Sequence, residues 1–136
     1  MAINILRFVI PKSLVEYIDE DSTVRQALEK MHFHKYTAIP VLDEDGTYIG
    51  TLRNNDILTY LWNNGSCDKE SAELIPISEI LSRSHTKPLL HSASIQDLIE
   101  CVKEHNFVPI VDDRGCFIGI VLRREILSYL SANFTE

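Results

Sequence analysis

Hydrophobic and polar positions along this chain follow the same order twice. Each copy opens with four apolar residues at the spacing that places them on one face of a helix, so each predicts an amphipathic helix. These residues are Val24, Ala27, Leu28 and Met31 in the first copy and Ile95, Leu98, Ile99 and Val102 in the second. Thr23 and Gln26 fit a capping box at the first helix start, and the second helix is predicted to start near Ser94.

Two strands joined by a tight turn are predicted after each of these helices. The segments read AIPVL, DEDG and TYIGTL at 38–52, and VPIV, DDRG and CFIGIVL at 108–122. The glycine that ends each polar turn permits positive φ, and a proline near a strand start costs little. Each segment therefore predicts a β-hairpin.

A second helix is predicted after each hairpin, from about Asn55 and from about Arg124, with three apolar residues of each facing inward. Those residues are Ile57, Leu58, Leu61, Ile126, Leu127 and Leu130. Short strands are predicted ahead of the first helices, at 15–18 and 87–90.

The segment between the copies divides into two parts. Residues 62–74 are polar and contain Gly65, which predicts a connector. Residues 75–81 predict a short lead-in helix with Pro76 in its first turn, where a missing N–H is tolerated.

The copies align along most of their length. A shift of 69 residues pairs Pro40, Asp43, Gly46 and Gly50 with Pro109, Asp112, Gly115 and Gly119. We therefore predict two repeats, 1–66 with an N-terminal lead-in and 67–136 with the connector and lead-in helix. One unit of this size would expose too much apolar sheet, so we expect an α+β fold of two β-α-β-β-α repeats packed sheet to sheet with pseudo-twofold symmetry.

Composition narrows the classes of partner. The net charge of −7 and the isoelectric point near 5.2 argue against a broad face for nucleic acid or an anionic membrane, which needs clustered Lys and Arg. The sequence has neither a long apolar span nor a signal-peptide pattern. Three cysteines without a CxxC pair predict reduced thiols, two of them buried, in a cytoplasmic protein.

Motifs of catalysis are missing from the sequence. It contains no GxSxG, P-loop, HExxH or GxGxxG pattern. His32 and His34 are two positions apart on a predicted helix, so they point to different sides and do not predict a metal site. We expect neither an enzyme nor a metal protein.

The order of these residues resembles the cystathionine β-synthase (CBS) domain, and its doubling resembles the CBS pair of small stand-alone bacterial proteins. The helix, the hairpin pattern as in YTAIPVLD at 36–43, and the acidic residue in the first turn of the following helix carry the resemblance, over roughly residues 10–131. It implies a regulatory module that forms a homodimer. It also implies an adenine nucleotide (AMP, ADP, ATP or cyclic di-AMP) bound in clefts between the two repeats, with no other cofactor.

The resemblance also implies which residues form these clefts. The segments before the strand prolines would line the adenine pocket, two residues of the preceding strands would cover the base, and the second helix starts would contact ribose and phosphate. The residues are Ile18, Tyr36, Thr37, Ala38, Ile39, Pro40, Arg53 and Asp56 in the first copy, and Leu89, Asn106, Phe107, Val108, Pro109, Arg123, Arg124 and Glu125 in the second.

Both copies depart from the family pattern Gly-hydrophobic-hydrophobic-Ser/Thr-x-x-Asp. Arg53 and Leu122 stand at the hydroxyl position, and Glu125 replaces the aspartate that Asp56 keeps. Asp56 is interpreted either as the ribose ligand or as an ordinary acid at a helix start. Arg123 and Arg124 are interpreted either as phosphate ligands at a helix N-terminus or as a solvated surface pair.

Two hypotheses about function stay open at this point. The first is a nucleotide sensor that signals to a separate, unidentified partner protein, because the repeats use almost the whole chain. The second is a ligand-free interaction module whose clefts only support a dimer. Stabilisation by adenine nucleotides would distinguish them.

Overall fold

The chain divides into two compact units. A computed structural model describes residues 4–63, 73, 75–81 and 87–133. Glu16–Thr86 form what we call the first unit, and Met1–Val15 with Lys87–Glu136 form the second unit. The N-terminal segment thus groups with the second sequence repeat, which differs from a division at 66/67 along the sequence. The predicted α+β class, with two sheets, is confirmed.

The described residues contain seven strands and five α-helices. The strands are β1 (Ile10–Pro11), β2 (Ile18–Asp19), β3 (Ala38–Leu42), β4 (Tyr48–Arg53), β5 (Leu89–Leu90), β6 (Phe107–Val111) and β7 (Phe117–Leu122). The helices are α1 (Val24–His34), α2 (Asn54–Asn63), α3 (Ile77–Leu81), α4 (Ile95–Val102) and α5 (Arg123–Asn133). None of these helices is long and apolar enough to cross a membrane.

The first unit is a three-stranded sheet with helices on one face. β2 runs parallel to β3, and β3 pairs antiparallel with β4. Its core joins α1, α2 and α3 to the helix-facing side of the sheet, and consists of Ile18, Val24, Ala27, Met31, Ile39, Val41, Leu52, Ile57, Leu61, Ile77, Ile80 and Leu81. Each of the larger side chains in this list contributes about 1.5–3 kcal/mol on burial.

The second unit repeats this sheet and adds a strand. β5 runs parallel to β6, β6 pairs antiparallel with β7, and β1 pairs antiparallel with the other edge of β7, with Ile10 opposite Ile120. The buried core consists of Ile5, Leu98, Val102, Val108, Ile110, Val121 and Ile126. Ile5 comes from the N-terminal segment, so that segment contributes to this core as well as to the sheet.

The inward face of the second helices was predicted correctly except at two positions. Four of the six residues pack in or against the cores: Ile57, Leu61, Ile126 and Leu130. Leu58 and Leu127 are 67% and 55% exposed, and the prediction for both is wrong. Each follows a buried isoleucine by one residue, and neighbouring helix positions point about 100° apart.

Both predicted helix starts are confirmed, and each is a capping box, of which the sequence predicted the one at Thr23. The Thr23 side chain accepts from the backbone N–H of Gln26, whose side chain accepts from the N–H of Thr23. Ser94 and Asp97 make the same reciprocal pair at α4. The first four backbone N–H groups of a helix have no partner within the helix, so nearby side chains must accept from them. A helix start is therefore recognisable from a few neighbouring residues.

The short elements differ slightly from their predictions. The strand predicted at 15–18 is found at Ile18–Asp19, so it is shorter and lies further along the chain, and the strand predicted at 87–90 is shortened to Leu89–Leu90. Pro76 directly precedes α3 and forms an isolated bridge with Thr23. Most of the predicted connector lies outside the described residues.

Glycines of the hairpins have two separate roles. Gly46 and Gly115 adopt φ of 85°, as the tight turns require. Gly119 allows close approach, because a Cβ there would lie 2.2 Å from the carbonyl oxygen of Ile10. At the equivalent Gly50, a Cβ would meet Leu81 at 3.0 Å. Each repeat thus makes room for a lead-in segment.

The cysteine prediction needs a correction. Cys101 and Cys116 are free thiols, but both are half-buried rather than buried. Burial nevertheless raises the pKa of the Cys101 thiol, with the carboxylates of Asp97, Glu100 and Glu104 acting in the same direction. Cys67 lies outside the described residues.

Candidate functional site

In each unit, the open end of the hairpin meets the start of the following helix. Ala38 pairs with Arg53 at the last rung of the first hairpin, and the backbone N–H of Asn54 donates to the Thr37 carbonyl at 3.0 Å. The second hairpin ends in the same way, with Phe107 opposite Leu122. Both repeats therefore bring the segment before a strand proline next to a helix N-terminus.

Asp56 lies at this junction in the first unit. Its Oδ2 accepts a hydrogen bond of 3.2 Å from the backbone N–H of Arg53, which precedes α2. Asp56 is thus a helix-start acid of the capping kind, and this bond occupies one of its two carboxylate oxygens. The ribose role of Asp56 stays a prediction.

The predicted site residues of the first unit lie on two different faces of the sheet. Successive strand residues point to opposite sides. Ile39 belongs to the helix-side core, as does Ile18, which pairs with Val41. Ala38 and Pro40 therefore lie on the other face, with Arg53 opposite Ala38. The structure brings Ala38 and Arg53 together with Asp56 and does not bring Ile18 to the same face.

The segment before β3 is more exposed. Thr37 is exposed, and the Tyr36 ring is 37% exposed and stacks on the ring of His34 at a centroid distance of 5.3 Å. His34 Nε2 lies 3.5 Å from Glu16 Oε1, and Lys30 Nζ lies 3.2 Å from the other oxygen of that carboxylate. Sequence reasoning did not anticipate this surface cluster, because its members are separated along the chain.

The arginines of the second unit have different surroundings. The Arg123 backbone N–H donates to the Asn106 carbonyl at 2.8 Å, and its Nε donates to the Val102 carbonyl at 2.7 Å. Its side chain therefore ties α5 to the end of α4. Arg124 is 81% exposed, and its Nε lies 3.9 Å from a carboxylate oxygen of Glu125. The phosphate role of both arginines stays a prediction.

The remaining predicted residues of the second unit lie along β5 and β6. Leu89 is half-buried, pairs with Ile110 and packs against the helix-side core. Val108 belongs to that core, whereas Phe107 and Pro109 point to the opposite face. As in the first unit, the residue predicted to cover the base lies on the helix side of the sheet.

A buried polar pair lies next to the first junction and was missed by sequence reasoning. The Tyr48 hydroxyl and Thr51 Oγ1 are 2.6 Å apart, and the two residues are 8% and 1% exposed. Burial raises the pKa of Tyr48 to about 12, although the Thr51 hydrogen bond and the Arg53 charge act in the opposite direction. The second repeat has Phe117 and Ile120 at these positions, a difference that could have signalled the pair.

Within the described part of the chain, no group of three or more His, Cys, Asp or Glu is arranged to hold a metal ion. The junction of β4 and α2 instead offers a small side chain, a guanidinium and a carboxylate within one hairpin end. These groups suit an uncharged flat ring, an anion and hydroxyl donors respectively.

Comparisons with known proteins identify relatives of this chain. The chain is 27% identical to the cyclic di-AMP receptor B of Bacillus subtilis over 126 residues, covering 92% of this chain and 84% of that protein. It is 25% identical over 112 residues to the inosine-5'-monophosphate dehydrogenase of Aquifex aeolicus, covering 81% of this chain but only 21% of that enzyme.

A solved structure and a family model also match this chain. A hypothetical conserved protein from Geobacillus kaustophilus superposes with a TM-score of 0.88 at 25% identity, covering 98% of this chain and 100% of that one. The family model of the CBS domain matches twice, at residues 10–63 and 77–132. The chain therefore belongs to the CBS-domain family and consists of a tandem pair of CBS repeats.

Proposed function

We propose that this protein is a regulatory nucleotide sensor, which binds an adenine nucleotide and changes its affinity for a separate partner protein. The observation that supports this best is the β4–α2 junction, where Ala38 lies opposite Arg53 and Asp56 follows at the helix start. A small residue leaves room for a base, and the two opposite charges match phosphate and ribose. The relative described as a cyclic di-AMP receptor supports the same ligand class.

Thermal unfolding with AMP, ADP, ATP and cyclic di-AMP tests the proposal. A ligand at ~100 times its dissociation constant adds ~2.7 kcal/mol to the free energy of unfolding. At roughly 4 °C per kcal/mol for a chain of this size, the melting temperature should rise by about 10 °C. Unchanged melting with all four nucleotides at millimolar concentration would refute nucleotide sensing.

The second candidate function is a ligand-free interaction module, and exposed apolar side chains favour it. Leu58 and Trp62 lie one turn apart on α2 and are 67% and 82% exposed, and Leu127 on α5 is 55% exposed. Such side chains are typical of protein interfaces when they are grouped. We propose that these helices form the interface of a homodimer under either function, and light scattering that gave a mass near 15.6 kDa would contradict it.

The proposed location is the cytoplasm, and the proposed role is regulatory rather than catalytic. The free thiols of Cys101 and Cys116 suit a reducing compartment. The nucleotide-bound and free forms must bind the partner unequally, since a ligand shifts an equilibrium only through such a difference. Comparing the proteins that co-purify with each form would test this mechanism.

A further inference from the structure

We infer that a nucleotide base enters only the first repeat, because Phe107 and Leu122 close the equivalent position of the second. The inference rests on the proposed function and specifies which repeat performs it. It predicts no more than one bound base per chain, held beside Ala38 and Arg53.

The two positions are equivalent in backbone structure, so their side chains can be compared directly. Ala38 pairs with Arg53 and Phe107 with Leu122 at the same rung of each ladder. Immediately beyond that rung, a backbone N–H of the following helix donates to the carbonyl before the strand, at 3.0 Å in the first unit and 2.8 Å in the second. The difference between the repeats therefore lies in the side chains.

The first difference is size. Ala38 presents one methyl group on the face of the sheet opposite the helices. Phe107 presents a half-buried phenyl ring on the same face, since its neighbour Val108 belongs to the helix-side core. An aromatic side chain covers roughly 150–250 Å² and is a flat ring comparable to the base itself. We therefore expect the phenyl ring of Phe107 to take the position that a base would occupy beside the methyl group of Ala38.

The second difference is charge. Arg53 pairs with Ala38, and Asp56 follows three residues later, so the first junction carries a positive and a negative side chain, which suit phosphate and ribose hydroxyls. Opposite Phe107 stands the apolar Leu122. Glu125, in the first turn of that helix, is 53% exposed, and its carboxylate lies 3.9 Å from Arg124 Nε. The inference concerns the base and leaves the phosphate prediction for Arg124 unchanged.

Exchanging the two residue pairs tests the inference. Ala38→Phe with Arg53→Leu copies the second pair into the first repeat, and the chain itself shows that this pair fits such a ladder. Isothermal titration with AMP, ADP, ATP and cyclic di-AMP should give at most one nucleotide per wild-type chain and an affinity at least about tenfold lower in the variant, or ~1.4 kcal/mol. Ile49→Phe is the matched control, because it adds an aromatic ring to the same hairpin away from this junction.

The converse exchange keeps the test decisive if the first variant does not fold. Phe107→Ala with Leu122→Arg should add a second binding event, and its absence would overturn the inference. So would two nucleotides per wild-type chain, or a folded Ala38→Phe/Arg53→Leu variant that binds as tightly as the wild type; each leaves nucleotide sensing intact. If none of the four nucleotides binds the wild type, the proposed function and this inference both fail.

Discussion

Removing the Tyr48 hydroxyl should destabilise the protein, and removing the Thr51 hydroxyl as well should restore most of the loss. Tyr48→Phe keeps the buried ring but deletes the hydrogen bond of 2.6 Å to Thr51, which is 1% exposed. A buried hydroxyl that loses its partner costs about 1–3 kcal/mol, whereas replacing both partners by apolar groups is nearly neutral. The second repeat already uses Phe117 and Ile120 at these positions.

Urea unfolding of a double-mutant cycle measures this coupling. We expect Tyr48→Phe and Thr51→Val each to lower the free energy of unfolding by about 1–2 kcal/mol, and the double variant to lose less than either single variant, which corresponds to a coupling energy of roughly 1–3 kcal/mol. The denaturant slope should stay unchanged, because the buried surface does not change. Strictly additive losses would refute the hydrogen bond as a stabilising contact.

The same residue predicts a pH dependence. The folded-state pKa of Tyr48 is about 12 against a usual value of 10, so the folded state keeps the proton longer than the unfolded state. The contribution is fully present below pH 10 and is lost as the pH rises through 12, at roughly 1.4 kcal/mol per pKa unit. The wild type should therefore lose more stability than Tyr48→Phe between pH 10 and 12, and parallel curves would contradict burial as the cause.

Three further variants test the site and the lead-in contacts. Asp56→Asn keeps an acceptor for the Arg53 N–H, so the fold should survive while nucleotide affinity falls at least about tenfold in calorimetry. The control is Asp97→Asn, which changes another acid in the first turn of a helix, away from the junction. Equal binding by both variants would leave Asp56 a helix-start acid only. Arg124→Ala should lower the affinity for nucleotides but not for adenosine, and the melting temperature should not change. Arg123→Ala should also lower the melting temperature, because it loses the hydrogen bond to the Val102 carbonyl. An equal loss of affinity for adenosine would contradict a phosphate contact. Gly119→Ala should lower the free energy of unfolding by at least about 2 kcal/mol in urea, and by more than Gly50→Ala. The new Cβ at 119 would lie 2.2 Å from the Ile10 backbone, which can move less than the Leu81 side chain that lies 3.0 Å from a Cβ at 50. The reverse order would refute the close approach as the reason for glycine at 119.

Local features of the fold could be predicted from the sequence, because they depend on residues close together in the chain. The capping box at Thr23, the helix start at Ser94 and the glycine turn at Gly46 are of this kind. The pairing of β1 with β7 could not be predicted, since nothing near Ile10 indicates a partner more than a hundred residues away.

The candidate site was predictable only in part, for reasons of strand geometry. The family resemblance implied Ala38, Arg53 and Asp56, and the hairpin register places them at one junction. The Tyr48–Thr51 contact was not, because residues three apart on a regular strand point to opposite faces. A register shift opposite Val41 and Leu42 leaves Ile49 as an extra residue, and this bulge puts Tyr48 and Thr51 on one face.

The pairing of β1 with β7 also constrains the order in which the chain folds during synthesis. The described strands and helices of the first unit come from one continuous stretch of the sequence, so this unit can fold as soon as its last residues leave the ribosome. Ile10 must wait for Ile120, and Ile5 waits for the same core. Closing a loop of that length costs entropy before any contact repays it, which slows folding. We therefore expect the N-terminal segment to be the last part of the chain to become protected from proteases and hydrogen exchange.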